Sequence, residues 1–355
     1  MSDYLTELPL PPIASYDAAL LDLDGVVYRG PAAVPYAADA IAAAAAAGMG
    51  LMYVTNNANR PPSTVADHLT ELGISTAAQA VTTAAQAAAR LIASEYPAGT
   101  PVLVVGGAGL REALTEEGMR VVGSADDQPL VVVQGLAHDV GWPQLTEAVL
   151  AISRGAEHIA SNLDATLPLE RGPALGNGSL VAAVVNATGR KPRSTGKPQP
   201  EIFHQAAARL GASNPVVIGD RLDTDLAGAR AAGYPGMQVL TGVDDATALL
   251  RCVAQQRPTL IALDLRGMLE PHPAVSPADD WWRCGEAAAR HRDGTIELSD
   301  GVTTSLLASG MSIDIDQLRA ACVAAWAASD QAGEPTVLDD APADLSVLGR
   351  DPGSR

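Results

Sequence analysis

Leu20-Leu21-Asp22-Leu23-Asp24-Gly25-Val26-Val27 decides the reading of this chain. An apolar run that stops at two carboxylates one residue apart reads as a buried parallel strand delivering its C-terminal end to solvent. In open α/β sheets that end is where ligands bind. On a continued strand the two acids would point the same way. Gly25 lets the backbone turn sharply behind them. Asp-x-Asp-Gly also opens an acidic turn or a calcium loop, but an EF-hand loop needs further oxygen ligands and a closing glutamate. Val26, Val27 and Tyr28 stand there instead.

Outward from this stretch the chain alternates strand and helix signals. An alanine-rich helix over 34–47 stops at Gly48. A strand over 50–54 ends at Thr55-Asn56-Asn57, and Pro61-Pro62-Ser63-Thr64 opens a helix with Ser63 as its cap. Strands over 102–105, 130–133 and 158–160 alternate with helices over 110–117, 143–154 and 180–187. A helix over 201–210 precedes a strand over 215–218 that runs into Gly219-Asp220. A helix follows over 225–232, then strands over 237–240 and 259–263 around a helix over 244–252. This rhythm predicts an α/β fold with a doubly wound parallel sheet. Beyond a Pro-rich linker at 271–278, a hairpin turns at Ser299-Asp300-Gly301, and an amphipathic helix capped near Asp314 spans 315–328. The Pro-, Asp- and Gly-rich final residues are expected to be disordered.

The 355 residues suffice for two or three domains. A net charge of −18 argues against nucleic acid or an anionic membrane as partner, and means that a phosphate substrate needs a local cation. Cys252, Cys284 and Cys322 lack metal or redox spacing, which suits inert thiols in a reducing compartment. No basic run leads into an apolar core near Met1, and the alanine run 40–47 is too short to span a bilayer, so a cytoplasmic location is expected. Gly106-Gly107-Ala108-Gly109 follows a strand, yet Glu112 occupies the last position of a dinucleotide fingerprint and no Gly-Lys-Ser/Thr closes a Walker loop. A plain strand-to-helix turn is expected.

Four polar clusters therefore fall at strand or loop ends in order: Asp22/Asp24, Thr55/Asn56/Asn57, Lys197 in Thr195-Gly196-Lys197-Pro198, and Asp220 with Asp223 and Asp225. The set resembles the haloacid dehalogenase superfamily of phosphatases. It is closer still to the nitrophenylphosphatase-like branch that includes phosphoglycolate, pyridoxal phosphate and glycerol phosphate phosphatases. The resemblance covers about residues 15–270.

It implies a Rossmann-like catalytic core over 15–83 and 191–270 and an inserted α/β cap over 84–190. Residues 271–340 exceed the branch's usual end and are expected to form a small α+β extension with a structural or interface role, followed by a tail over 341–355. It implies Asp22 as nucleophile, forming an aspartyl-phosphate, and Asp24 as general acid and base, protonated at the start through its neighbour and restricted solvation. It implies Mg²⁺ held by Asp22, the Asp24 carbonyl and Asp220, with Asp225 orienting Lys197 or a metal-bound water. Thr55, Asn56, Asn57 and Lys197 are implied as phosphate-binding, and Glu170 and Arg171 as a substrate-facing loop. The implied substrate is a small phosphomonoester: glycerol 3-phosphate first, as in actinobacterial enzymes, then phosphoglycolate. Pyridoxal phosphate, a nucleoside monophosphate, and transfer to an acceptor in place of hydrolysis are the alternatives. The resemblance leaves a homodimer open.

Overall fold

The computed structural model describes residues 4–169, 171–333, 338 and 342–349. Two compact units comprise Met1–Leu51 with Leu210–Arg355, and Met52–Arg209.

In the first unit, Ala18–Leu21, Pro215–Gly219, Gly236–Val239 and Leu260–Ala262 lie side by side as parallel strands. Every residue of the four is buried. That burial explains their continuous apolar runs: a parallel strand covered on both faces has no polar side to show. Ala18 pairs with Pro215 and Leu21 with Ile218, and the Asp22 N–H continues the ladder to the Ile218 carbonyl at 2.9 Å. Asp22 and Asp220 are therefore brought out at the same end of neighbouring strands. The α/β class and parallel sheet agree with the sequence reading.

Residues after 270 complete this unit. Ser276–Ala278, Trp281–Cys284, Ala287–Arg292, Thr295–Ser299 and Thr304–Leu306 form a five-stranded antiparallel meander. The sequence disclosed its last hairpin only. Its first strand lies within the expected linker, because Pro277 is tolerated on an edge strand. The helix Ile315–Ala332 starts at Asp314, whose side chain accepts the Asp316 and Gln317 N–H groups. Its buried residues, Leu318, Val323 and Trp326 among them, share one apolar cluster with Leu222, Leu249, Ile261, Ala289 and Leu298. The expected disordered tail fails at Ser346–Leu348, which pairs in parallel with Ser312–Asp314. Strand pairing there satisfies backbone groups that its composition does not advertise.

In the second unit, Gly50–Thr55, most of which belongs here, pairs in parallel with Val81–Thr83. A separate five-stranded parallel sheet runs in the order Arg193–Ser194, Glu157–Ala160, Val131–Gln134, Pro101–Val105, Arg120–Val122. Alternate residues serve two cores: Val102, Val104, Val131 and Val133 in one, Leu103, Val105 and Val132 in the other. The turn at Gly107 leads directly into the helix Ala108–Glu116, as expected. Ser63 lies inside the helix Pro62–Glu71 and does not cap it. Pro61 and Pro62 preset the first turn without a side-chain acceptor. A hairpin joins Thr166–Leu169 to Gly172–Leu175. Arg171 at its tip is exposed, whereas Glu170 lies outside the described residues. Among the described residues no helix is long and apolar enough to cross a membrane.

Candidate metal and phosphate site

Strand geometry builds the acidic cluster in the first unit. One oxygen each from Asp22, Asp220 and Asp225 lies within 4.8 Å of the other two, and all three residues are buried. Asp22 follows the strand Ala18–Leu21, and Asp220 follows Pro215–Gly219. Asp225 arrives through a wide π-type turn, Leu222–Leu226, whose residues Leu222, Thr224 and Leu226 are buried. Its Oδ2 accepts the Arg221 N–H at 3.2 Å, fixing the carboxylate to the loop. Asp223, in the same turn, is exposed and held by Arg221 at 3.1 and 3.0 Å. It takes no part in the cluster.

Asp24 behaves differently from Asp22. The strand ends at Leu21, so the two acids do not share a strand face, and Asp24 is exposed while Asp22 is buried. Restricted solvation of Asp24 is therefore not supplied within this unit. Its carboxylate does not join the cluster. The turn behind it depends on Gly25: φ is +87°, and a Cβ there would run into the Asp220 carboxylate. Thr241 Oγ1 donates to the Gly25 carbonyl at 2.6 Å and holds that turn closed.

Further residues frame Asp220, and the sequence reading missed them. Val243 N–H donates to Asp220 Oδ2 at 2.7 Å, and Gln238 Nε2 donates to the Asp220 carbonyl at 2.8 Å. Asp244 Oδ2 accepts the Leu222 N–H at 2.7 Å, and burial pushes its carboxyl above the ordinary range. Gln238 carried one signal, a polar residue inside an apolar strand run; Asp244 carried none beyond its nearness to that strand.

Three buried carboxylates so close repel one another in a medium that screens poorly. A divalent ion offsets that repulsion, and an all-oxygen donor set suits a hard cation such as Mg²⁺ or Ca²⁺ over a thiophilic one. The three clustered carboxylate oxygens fit such an ion, and the absence of a side chain at Gly25 leaves the Asp220 carboxylate its place among them.

The second unit gathers the other predicted residues. Thr55 ends its strand, buried, and its Oγ1 accepts the Asn57 N–H at 3.1 Å. The hydroxyl proton of Thr55 is then the part it offers as a donor. Asn57 Oδ1 accepts the Asn59 and Arg60 N–H groups at 2.8 and 3.2 Å and shapes the loop. Lys197 is 4% exposed. Its N–H donates to Asn56 Oδ1 at 2.7 Å, and Asn56 Nδ2 donates to its carbonyl at 3.1 Å. Thr55, Asn56, Asn57 and Lys197 thus belong to one loop cluster, as Asp22, Asp220 and Asp225 belong to another.

Comparison with known proteins identifies the family. The haloacid dehalogenase-like hydrolase profile matches residues 19–120, and a HAD-hydrolase-like profile matches 194–268. A D-glycerol 3-phosphate phosphatase of Mycobacterium tuberculosis is 43% identical over 268 residues, 75% of each chain. An acid sugar phosphatase of Staphylococcus saprophyticus is 37% identical over 64% of this chain and 88% of its own. Among solved structures, a glycerol phosphate phosphatase of M. tuberculosis in complex with magnesium superposes with a TM-score of 0.79 at 36% identity. That match covers 97% of this chain and 96% of the other, so it extends well beyond residue 270. A p-nitrophenyl phosphatase from Archaeoglobus fulgidus gives 0.67 at 29% identity, covering 72% of this chain and 98% of its own. Acids at two adjacent parallel strand ends, a Thr-Asn-Asn loop, a buried lysine and these likenesses lead to one conclusion: the chain belongs to the haloacid dehalogenase-like hydrolases and is a phosphoric monoester hydrolase.

Proposed function

We propose that this protein is a Mg²⁺-dependent cytoplasmic phosphatase of a small phosphomonoester, glycerol 3-phosphate first and phosphoglycolate next. What carries the reading is the convergence of Asp22, Asp220 and Asp225 at one end of neighbouring parallel strands. The glycerol phosphate phosphatase likeness supports the substrate. The three buried free cysteines suit a reducing compartment.

In this reading an Asp22 oxygen attacks phosphorus while the ester O–P bond breaks, giving an aspartyl-phosphate. Asp24 gives its proton to the departing alkoxide, then takes one from the water that hydrolyses the intermediate. Its exposure lets it exchange that proton between turnovers. Asp22, Asp220 and the Asp24 carbonyl would hold Mg²⁺, and Asp225, whose carboxylate stands in the same cluster, would orient a metal-bound water. When bound, the ion supplies positive charge against the phosphoryl oxygens and the nucleophile. Lys197 adds a second cation as a point charge, and the Thr55 hydroxyl and the Thr55–Asn57 loop donate hydrogen bonds to the transferred group. Residues 84–190 act as a cap that excludes water and sets the substrate.

The test is phosphate release from a panel of glycerol 3-phosphate, phosphoglycolate, pyridoxal phosphate and nucleoside monophosphates, with Mg²⁺ and no acceptor. Hydrolysis led by glycerol 3-phosphate is expected. Turnover that requires an added acceptor would mark a phosphotransferase. Asp22→Asn should abolish turnover in a folded protein, while Asp24→Asn should slow it by about 10²–10⁴-fold yet retain Mg²⁺ binding. Unchanged steady-state hydrolysis in Asp22→Asn removes the mechanism.

A further inference from the structure

We infer that the Asn56 side chain is not a phosphate ligand but the clamp that positions Lys197. The inference deepens the phosphatase reading and rests on it. A primary amide offers one carbonyl acceptor and two N–H donors. Asn56 Oδ1 takes the Lys197 N–H at 2.7 Å. Its Nδ2 lies 3.1 Å from the Lys197 carbonyl, and 3.1 and 3.2 Å from the two Asp164 oxygens. Both peptide groups flanking the Lys197 Cα are therefore gripped by one side chain, and its remaining N–H is directed to a carboxylate. No donor of this amide is left for a phosphoryl oxygen. The amide's orientation is dictated: reversed, it would set NH₂ against the Lys197 N–H and a carbonyl against Asp164.

The clamp is itself held. Asn162 Nδ2 donates to the Asn56 carbonyl at 2.8 Å, and Asn162 Oδ1 accepts the Asp164 N–H at 3.2 Å. Asn177 Nδ2 donates to the Asn162 carbonyl at 2.7 Å. Asn162 and Asn177 are 5% and 1% exposed, so these bonds lie away from competing water. The backbone approach also depends on Gly196, where a Cβ would meet the Ser161 carbonyl and Asn56 Oδ1. A lysine ammonium sits at the end of four rotatable bonds, so its reach is set by where the backbone fixes the Cα. A displacement of about 1 Å costs roughly 10²-fold in rate.

The test uses the full-length protein with Mg²⁺. The readouts are kcat and KM for p-nitrophenyl phosphate and, independent of turnover, orthovanadate affinity by titration calorimetry. Asn56→Ala should lower kcat/KM and vanadate affinity by about 10–100-fold, a large part of the loss from Lys197→Ala. In the Lys197→Ala background the same change should add less than about threefold, because the clamp has nothing left to position. Asp164→Asn, which keeps an acceptor oxygen, should stay within about threefold of the parent, whereas Asp164→Ala should follow Asn56→Ala. Multiplying losses in the double variant, or an Asp164→Ala protein that binds vanadate like the parent, overturns the inference. An unaffected Lys197→Ala variant would instead overturn the role of Lys197, and this inference with it. Should Asn56→Ala fail to fold, the Asp164 pair carries the decision.

Discussion

His158 sits buried in the strand Glu157–Ala160, with Nε2 3.2 Å from Gln134 Oε1. Burial pushes its imidazole down to about 4 from an ordinary 6.5. Between those values the unfolded chain binds a proton that the folded chain refuses. Stability from this group is therefore full above pH 6.5 and declines as pH falls towards 4, by on the order of 3 kcal/mol. Urea midpoints of the parent protein and His158→Gln, taken from pH 7 to 4.5, should diverge in slope; parallel curves would exclude His158 as the cause. Residues differ in how much of such behaviour their sequence discloses. Asp22 and Asp220 were readable because each terminates an apolar run, and a polar residue at that point has few places to go but the sheet end. The burial of His158 was not readable, because a lone histidine in a short strand looks the same covered or exposed. Nor was the engagement of Asn56, whose partners stand 108 and 141 residues away.

Among the elements, the helix Ile315–Ala332 departs most from its pattern. Its spacing reads as one apolar face, but Ile315, Leu318, Ala320–Ala325 and Trp326 are buried nearly all round. A helix covered on every side needs its few polar groups matched. Trp326 Nε1 donates to the Leu249 carbonyl at 2.8 Å, and the Arg319 guanidinium donates to the Ile261 carbonyl and pairs with Asp316 at 2.7 Å. Near its end Asp330 accepts from Arg257 at 2.8 Å through both oxygens and from the Tyr4 hydroxyl at 2.9 Å. The Arg257 side chain is almost wholly enclosed, whereas Asp330 is partly exposed. Asp330→Ala should therefore cost about 1–3 kcal/mol, most of it the stranded guanidinium, with water screening the rest. Chemical denaturation should show Asp330→Ala with Arg257→Met recovering part of that loss. A double variant weaker than the sum of the singles would refute this account. The helix and its Asp314 cap were legible from the capping residue and the alanine-rich run. Of the meander before it only the last hairpin was, since the other strands are short or arginine-bearing and separated by brief turns.

For the molecule as a whole, the question is what residues 271–355 contribute. They share one apolar cluster with Leu222, Leu249, Leu250 and Ile261 of the parallel-sheet region. Truncation after Glu270 would expose that surface, so the shortened chain should be insoluble or lose cooperative unfolding, and with it the Asp22–Asp220–Asp225 cluster. A soluble 1–270 protein with parent-like turnover would show the extension to be dispensable. The net charge of −18 belongs to this scale also: it disfavours polyanionic partners, so that an anionic substrate needs a local cation, the part proposed above for Lys197. By itself the sequence determined the α/β class and the order of the polar clusters at strand ends, because strand periodicity and abrupt polar endings are local properties of the chain; the reaction class came with the resemblance of those clusters to a known family's motifs. Only the tertiary structure decided which carboxylates are buried together, which amide is engaged by the protein before any ligand arrives, and that the C-terminal helix is core and not appendage. Those outcomes depend on hydrogen bonds and burial between segments more than fifty residues apart, and no local pattern encodes such a meeting.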